Sequence, residues 1–184
     1  MTMVLVGSDC LIQSNSVPST SMQAQQIFVS YTAYSGITEL LAEDAQLLNE
    51  AKLAIELAYA PYSKFKVGAA ALLSNGVILK GSNQENASFP AGICAERVLL
   101  SICASLYPRM PIVAMAICYQ NEKGKSDRPI TPCGICRQSL SEYQEMCQHP
   151  IRLILGGYEG KIITIENASL LLPLAFSSTD LLRD

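Results

Sequence analysis

Apolar residues fall at Leu40, Leu41, Leu47, Leu48, Ala51, Ala54, Ile55 and Ala58, a three-to-four spacing that predicts a helix with one buried face. Ser35-Gly36 precedes the run, Thr38 stands where a capping hydroxyl is expected, and Ala60-Pro61 ends it. Upstream, Ile27-Phe28-Val29-Ser30-Tyr31-Thr32 has the β-branched and aromatic composition of an edge strand. Residues 67–73 are apolar and mostly small, which predicts a strand packed closely on one face. Asn75-Gly76 is a strong hairpin turn, after which residues 77–80 return antiparallel. A loop over 81–92 leads to a helix over 94–107, then a strand over 112–119 and a polar loop over 121–129. A helix over 133–145 and a strand over 151–155 follow, then a short strand over 162–165. A short Leu-rich helix after Asn167 breaks at Pro173. This order implies an α/β fold, a mixed sheet with helices on both faces and ligand sites where strands hand over to helices. Neither a repeat nor an internal boundary interrupts residues 27–184, which read as a single domain. Residues 1–26 are read as a leader or disordered arm, with Met22 a candidate natural start.

Composition narrows the partners. A length of 184 residues fits one domain with a substantial core. Only 16% of residues are charged, which fits a surface partly buried in an oligomer. The net charge of −3 argues against a nucleic-acid partner, which needs a basic stripe, and points to a small ligand. The seven cysteines are odd in number and irregularly spaced, unlike a secreted disulfide framework. The apolar start lacks a basic leading segment and contains Asp9, and the chain has no apolar run long enough to span a bilayer. A cytoplasmic, reducing setting is the expectation.

The chemistry gathers in two stretches. Cys94-Ala95-Glu96-Arg97 opens one predicted helix and Thr131-Pro132-Cys133-Gly134-Ile135-Cys136-Arg137 opens another. A catalytic zinc takes three protein ligands and leaves a fourth position for water, and Cys94, Cys133 and Cys136 supply three. Helix N-termini stabilise the thiolates that ligation requires. Three thiolates overcompensate a dication, so Arg97, three residues past Cys94, is expected to donate to them and draw charge off the metal, with Arg137 assisting. Glu96 cannot easily join the same tetrahedron but can reach the water beside it as a proton carrier. Two plainer readings stay open at this level. The C-x-x-C pair alone fits a thiol–disulfide redox protein, and Cys147 or His149 as a fourth ligand would make a structural zinc site.

Taken together, Cys94-Ala95-Glu96 and Pro132-Cys133-x-x-Cys136 resemble the all-cysteine form of the zinc nucleoside deaminases. The resemblance extends to the small homotetrameric cytidine deaminases over roughly residues 47–182. It is carried by the stretch from Ala60-Pro61-Tyr62 to Ala70, by Asn83-Gln84-Glu85-Asn86-Ala87, and by Leu171-Leu172-Pro173-Leu174-Ala175-Phe176 with Asp180-Leu181 beyond. It implies a three-layer α-β-α sandwich and one zinc per chain on Cys94, Cys133 and Cys136. Glu96 would move a proton from water to N3 of cytosine and then to the departing amine at C4. Asn83 and Glu85 would bind the ribose hydroxyls, Phe65 would pack on the base or sugar, and the main chain near Ala95 would bind O2. Phe176 would reach a neighbouring subunit's site. The activity implied is deamination of cytidine and 2′-deoxycytidine in pyrimidine salvage; a deaminase of a blasticidin S-type nucleoside antibiotic is the nearest alternative.

The residues themselves agree at one point. Asn83 and Glu85 alternate by two, so an extended segment projects both to one side, where an amide and a carboxylate suit a diol. The plainer possibility is that Asn83 and Asn86 shape the loop and Glu85 is solvated. Ser82 replaces a cysteine common in that family, and Phe89-Pro90-Ala91-Gly92 is one form of a variable loop.

Overall fold

A computed structural model describes residues 24–181. The expected arm, with Met22, lies outside the described residues up to position 23; residues 24–26 are exposed and without regular structure. Six strands form one sheet in the order β1-β6-β5-β4-β2-β3. They are β1 (Thr32–Tyr34), β2 (Phe65–Leu73), β3 (Ile78–Ser82), β4 (Ile112–Asn121), β5 (Arg152–Gly156) and β6 (Ile162–Ile165). Among the strands of the described residues only the β4–β5 pair is parallel, so the sheet is mixed as expected.

Both faces of the sheet are covered. Ala69, Ala71 and Leu73 of β2, Met115 and Ile117 of β4, and Leu153 and Leu155 of β5 point into one core. That core is closed by α2 (Ala95–Leu106) and α3 (Gly134–Cys147). The alternate residues Ala70, Ala114, Ala116, Cys118 and Ile154 point into the other core, against Leu47, Leu48 and Ala51 of α1 (Ala42–Ala54) and Ile55 just past its end. This is the three-layer α-β-α sandwich. Because the central strands are buried on both sides, they read as unbroken apolar runs without alternation.

Two glycines set how closely the helices sit. A Cβ on Gly68 would meet the Ala51 carbonyl oxygen at 2.1 Å, so α1 rests directly on β2. A Cβ on Gly81 would meet the Leu99 nitrogen at 2.8 Å and the Ala95 carbonyl oxygen at 2.9 Å, so α2 is seated on β3 by the same device. Arg152 of β5 donates to both carboxylate oxygens of the buried Asp44, each at 2.6 Å, clamping α1 to the sheet.

Several boundaries differ from expectation. The edge strand lies at Thr32–Tyr34 rather than 27–32, because its partner β6 offers pairing only from Ile162 to Thr164. Thr38 does not cap α1. It lies within the 3-10 turn Ile37–Glu39, where the Ser35 N–H donates to Glu39 Oε2 at 2.7 Å, and α1 begins later at Ala42. That helix ends at Ala54 and tightens into the 3-10 turn Ile55–Leu57, well before Pro61. The Leu-rich segment is the 3-10 turn Ala168–Leu171, started by Asn167, whose side chain accepts from the Ser169 N–H. Among the described residues no helix is long and apolar enough to cross a membrane.

Candidate active site

The chain places Cys94 and Cys133 at equivalent positions, each the extended N-cap residue of a helix on the same face of the sheet (φ −72°, ψ 154° and φ −67°, ψ 169°). The two helix starts converge. Cys94 Sγ lies 3.7 Å from Cys133 Sγ, and Cys133 Sγ lies 3.4 Å from Cys136 Sγ. All three sulfur atoms lie within 4.8 Å of one another. A tetrahedral zinc with Zn–S bonds of about 2.3 Å needs S···S separations of about 3.8 Å, so these thiols fit the ion. Among the described residues the cluster holds these three ligands and no fourth. Cys147 Sγ instead points to the Met110 carbonyl at 3.7 Å, and His149 Nδ1 lies 2.7 Å from the Pro150 carbonyl. The C-x-x-C pair thus has Cys94 as a third thiol, which a redox pair does not need and a metal does.

The electrostatics of the cluster favour a thiolate at Cys94. A hydrogen bond from the Cys136 thiol, aided by Cys133 and by the positive charge of Arg97, outweighs burial and lowers the Cys94 pKa to about 6. Cys136 is correspondingly pushed up, first by its hydrogen bond to Cys94 and then by burial. Glu96, in the first turn of α2, is 5% exposed, and burial raises its pKa, with the Cys94 charge adding to the rise. A carboxyl group whose pKa burial raises, placed beside the metal ligands, is suited to receive and return a proton.

Arg137 has a different place from the one expected. Its guanidinium donates to the Pro132 carbonyl, the Leu171 carbonyl and Thr131 Oγ1, so it is engaged on the loop before Cys133 rather than on the thiolates.

A cavity of about 560 Å³ opens from Cys94, with Asn83, Glu85, Tyr62, Ser63 and Phe89 among its walls. The segment carrying Asn83 and Glu85 is extended. Gln84 exchanges backbone hydrogen bonds with Ile93, both 2.9 Å, and the Glu85 N–H donates to the Tyr59 carbonyl at 2.8 Å. Asn83 and Glu85 both line the cavity, together with Gln84 and Asn86. Both are already held. Asn83 Oδ1 accepts from the Val67 N–H at 2.8 Å and Asn83 Nδ2 donates to the Phe65 carbonyl at 2.9 Å. Glu85 Oε2 accepts from the N–H groups of Tyr62 at 2.9 Å and Ser63 at 3.3 Å. Hydrogen bonding, from Ser63 first, holds the Glu85 carboxyl below its ordinary range. Ser82 is buried, and its hydroxyl accepts from Gln84 Nε2 at 3.1 Å.

Of the remaining expected residues, Phe65 stacks on Tyr119 with ring centroids 4.8 Å apart, and Ala95 is buried at the start of α2. Phe176 is exposed, and its carbonyl accepts from Gln138 Nε2 at 2.8 Å. The backbone of Tyr62 and Ser63 was not foreseen in the sequence. Its only trace there was the Pro61 break that sends the chain back past Glu85.

The family of the cytidine and deoxycytidylate deaminase zinc-binding region matches residues 41–147. The cytidine deaminase of Halalkalibacterium halodurans is 41% identical over 135 residues, 73% of this chain and 95% of that protein. That of Sporosarcina psychrophila is 39% identical over 136 residues, 74% of this chain and 93% of its own. Among solved structures, the cytidine deaminase from Burkholderia pseudomallei superimposes with a TM-score of 0.63 at 36% identity, covering 74% of this chain and 100% of that one. With its three converging thiols and neighbouring buried glutamate, this chain belongs to the cytidine and deoxycytidylate deaminase zinc-binding family.

Proposed function

We propose that the protein hydrolyses cytidine and 2′-deoxycytidine to uridine and 2′-deoxyuridine, releasing ammonia, in pyrimidine salvage. The observation that carries this reading is the cavity that joins Cys94, in the three-thiol cluster, to Asn83 and Glu85. The polar side chains of Asn83 and Glu85 share its wall with Cys94, the one thiol of the cluster among its lining residues.

Cys94, Cys133 and Cys136 hold the metal. When bound, zinc supplies a Lewis acid that makes water nucleophilic near neutral pH. Glu96 takes a proton from the attacking water and delivers it to N3 of cytosine as the C4–O bond forms. The same carboxylate then takes the second proton from the new C4 hydroxyl and passes it to the amine as the C4–N bond breaks, so water and cytidine leave as uridine and ammonia. Arg97 offsets the thiolate charge. Asn83 and Glu85 bind the ribose hydroxyls, and their fixed geometry means that the sugar meets preformed acceptors and donors. Phe65 packs on the base or sugar and the main chain at Ala95 binds O2. Phe176, exposed on this chain, reaches the site of a neighbouring subunit in a homotetramer, and the protein works in the cytoplasm.

Ammonia release from cytidine, 2′-deoxycytidine and blasticidin S, measured side by side, tests this reading. Turnover of the first two supports it. Turnover of blasticidin S alone replaces it with the antibiotic-deaminase activity, and turnover of none overturns it.

A further inference from the structure

The loop that delivers Cys133 to the metal site is gripped by one side chain. Pro132 precedes α3, so its carbonyl lies outside the helical hydrogen-bond ladder and needs a partner elsewhere. Arg137 Nε supplies it at 2.8 Å, while Nη2 donates to Thr131 Oγ1 at 3.1 Å. The third arm of the fork, Nη1, donates to the Leu171 carbonyl at 3.0 Å. The backbone N–H of the same residue closes the first turn of α3 on the Cys133 carbonyl at 2.9 Å. Leu171 is a firm anchor, because its side chain packs against the core beneath α2 and α3 and it ends the turn Ala168–Leu171.

We propose that Arg137 is a positioning residue for the metal centre. By tying the peptide just before Cys133 to Leu171, it holds the Cys133 thiol opposite Cys94 and links docking of the C-terminal segment to metal retention. This rests on the reading that the three thiols hold zinc. It differs from a charge-tuning role, since each guanidinium nitrogen donates to an oxygen of the loop or of Leu171 and none to a thiol. A lysine keeps the charge but cannot make three directed bonds from a planar fork. The next residue provides a control. Gln138 grips the same C-terminal segment at the Phe176 carbonyl, 2.8 Å away, and is not bonded to residues 131–133.

The experiment is zinc release. Wild-type protein, R137K, R137Q and Q138A are purified with their metal, checked for folding by circular dichroism, and mixed with the chromogenic chelator 4-(2-pyridylazo)resorcinol. R137K and R137Q are expected to release zinc about 10- to 100-fold faster than wild type, the range usual for groups that orient a metal ligand. Q138A is expected to release it at the wild-type rate. Wild-type release from R137K overturns the role of Arg137 while leaving the deaminase reading intact. Release from Q138A as fast as from R137K overturns it as well, because general loosening of the C-terminal segment then suffices. If R137Q does not fold, R137K decides alone. A wild-type chain that holds no zinc overturns the metal reading and this role together.

Discussion

The sulfur atoms of Cys94 and Cys133, 39 residues apart in the chain, lie 3.7 Å apart in the fold. Two helix starts have been brought together to make this contact, so metal ligation and folding are coupled. Cys133→Ala is therefore expected to lose its zinc and melt at a lower temperature. Chelator should lower the melting temperature of the wild type and leave that of Cys133→Ala unchanged. Zinc present at a hundred times its Kd stabilises a fold by about 2.7 kcal/mol, which sets the scale of the loss. Equal zinc content in the two proteins refutes the ligand assignment.

Gly81 is where the sheet positions the chemistry. An added Cβ meets backbone and Cβ atoms of α2 at 2.8–2.9 Å, and backbone cannot step aside without moving the helix that carries Cys94 and Glu96. Gly81→Ala is expected to cost about 1–3 kcal/mol of stability, as overpacking does, and to depress turnover at temperatures where the variant is fully folded. Unfolding midpoints and rates on the same preparation check both. An unperturbed rate removes Gly81 from the positioning of the site.

Glu85 is proposed to read the sugar. Glu85→Gln replaces a charge-assisted acceptor, a change typically worth about 1.5–3 kcal/mol, or about 10- to 100-fold in kcat/KM. The loss should be large for cytidine and small for 2′,3′-dideoxycytidine, which lacks the hydroxyls. Equal losses on the two substrates mean that Glu85 only shapes the Tyr62–Ser63 loop.

Much of this was legible in the chain, and the part that was not has a physical cause. Metal ligands at a helix start must cluster locally, so Cys94, Cys133 and Cys136 announced themselves by spacing. Asn83 and Glu85 were legible from the period of two only as a pair on one side of an extended segment, and their sugar-binding role came from the resemblance and is a proposal. Arg137 was misplaced because its decisive partner, Leu171, lies 34 residues away and contributes only a carbonyl, which no residue type encodes. The edge strand was set too early because its length depends on what β6 can pair, not on the composition of residues 27–31. The amides that hold Glu85 were equally invisible, since Tyr62 and Ser63 act there through backbone.

Buried thiols predict the alkaline limit of stability. Burial raises Cys103 and Cys118 from 9.0 to about 11. A group whose pKa is raised on folding contributes stability that is fully present below its unfolded value and is lost as the pH rises through the folded one. The melting temperature is thus expected to hold up to about pH 9 and to fall towards pH 11, with a shallower fall in Cys103→Ala. Profiles that run parallel in the two proteins contradict a contribution from Cys103.

The central claim is that Glu96 moves the protons beside a three-thiolate zinc. Cytidine deamination by wild type and Glu96→Gln, with zinc quantified in the same samples, tests it most directly. Both proteins should hold about one zinc per chain, the complement of a three-ligand site. The variant should turn over more slowly by about 10²–10⁴-fold, the usual contribution of a positioned proton carrier. A zinc-loaded Glu96→Gln protein that deaminates cytidine at the wild-type rate contradicts the account.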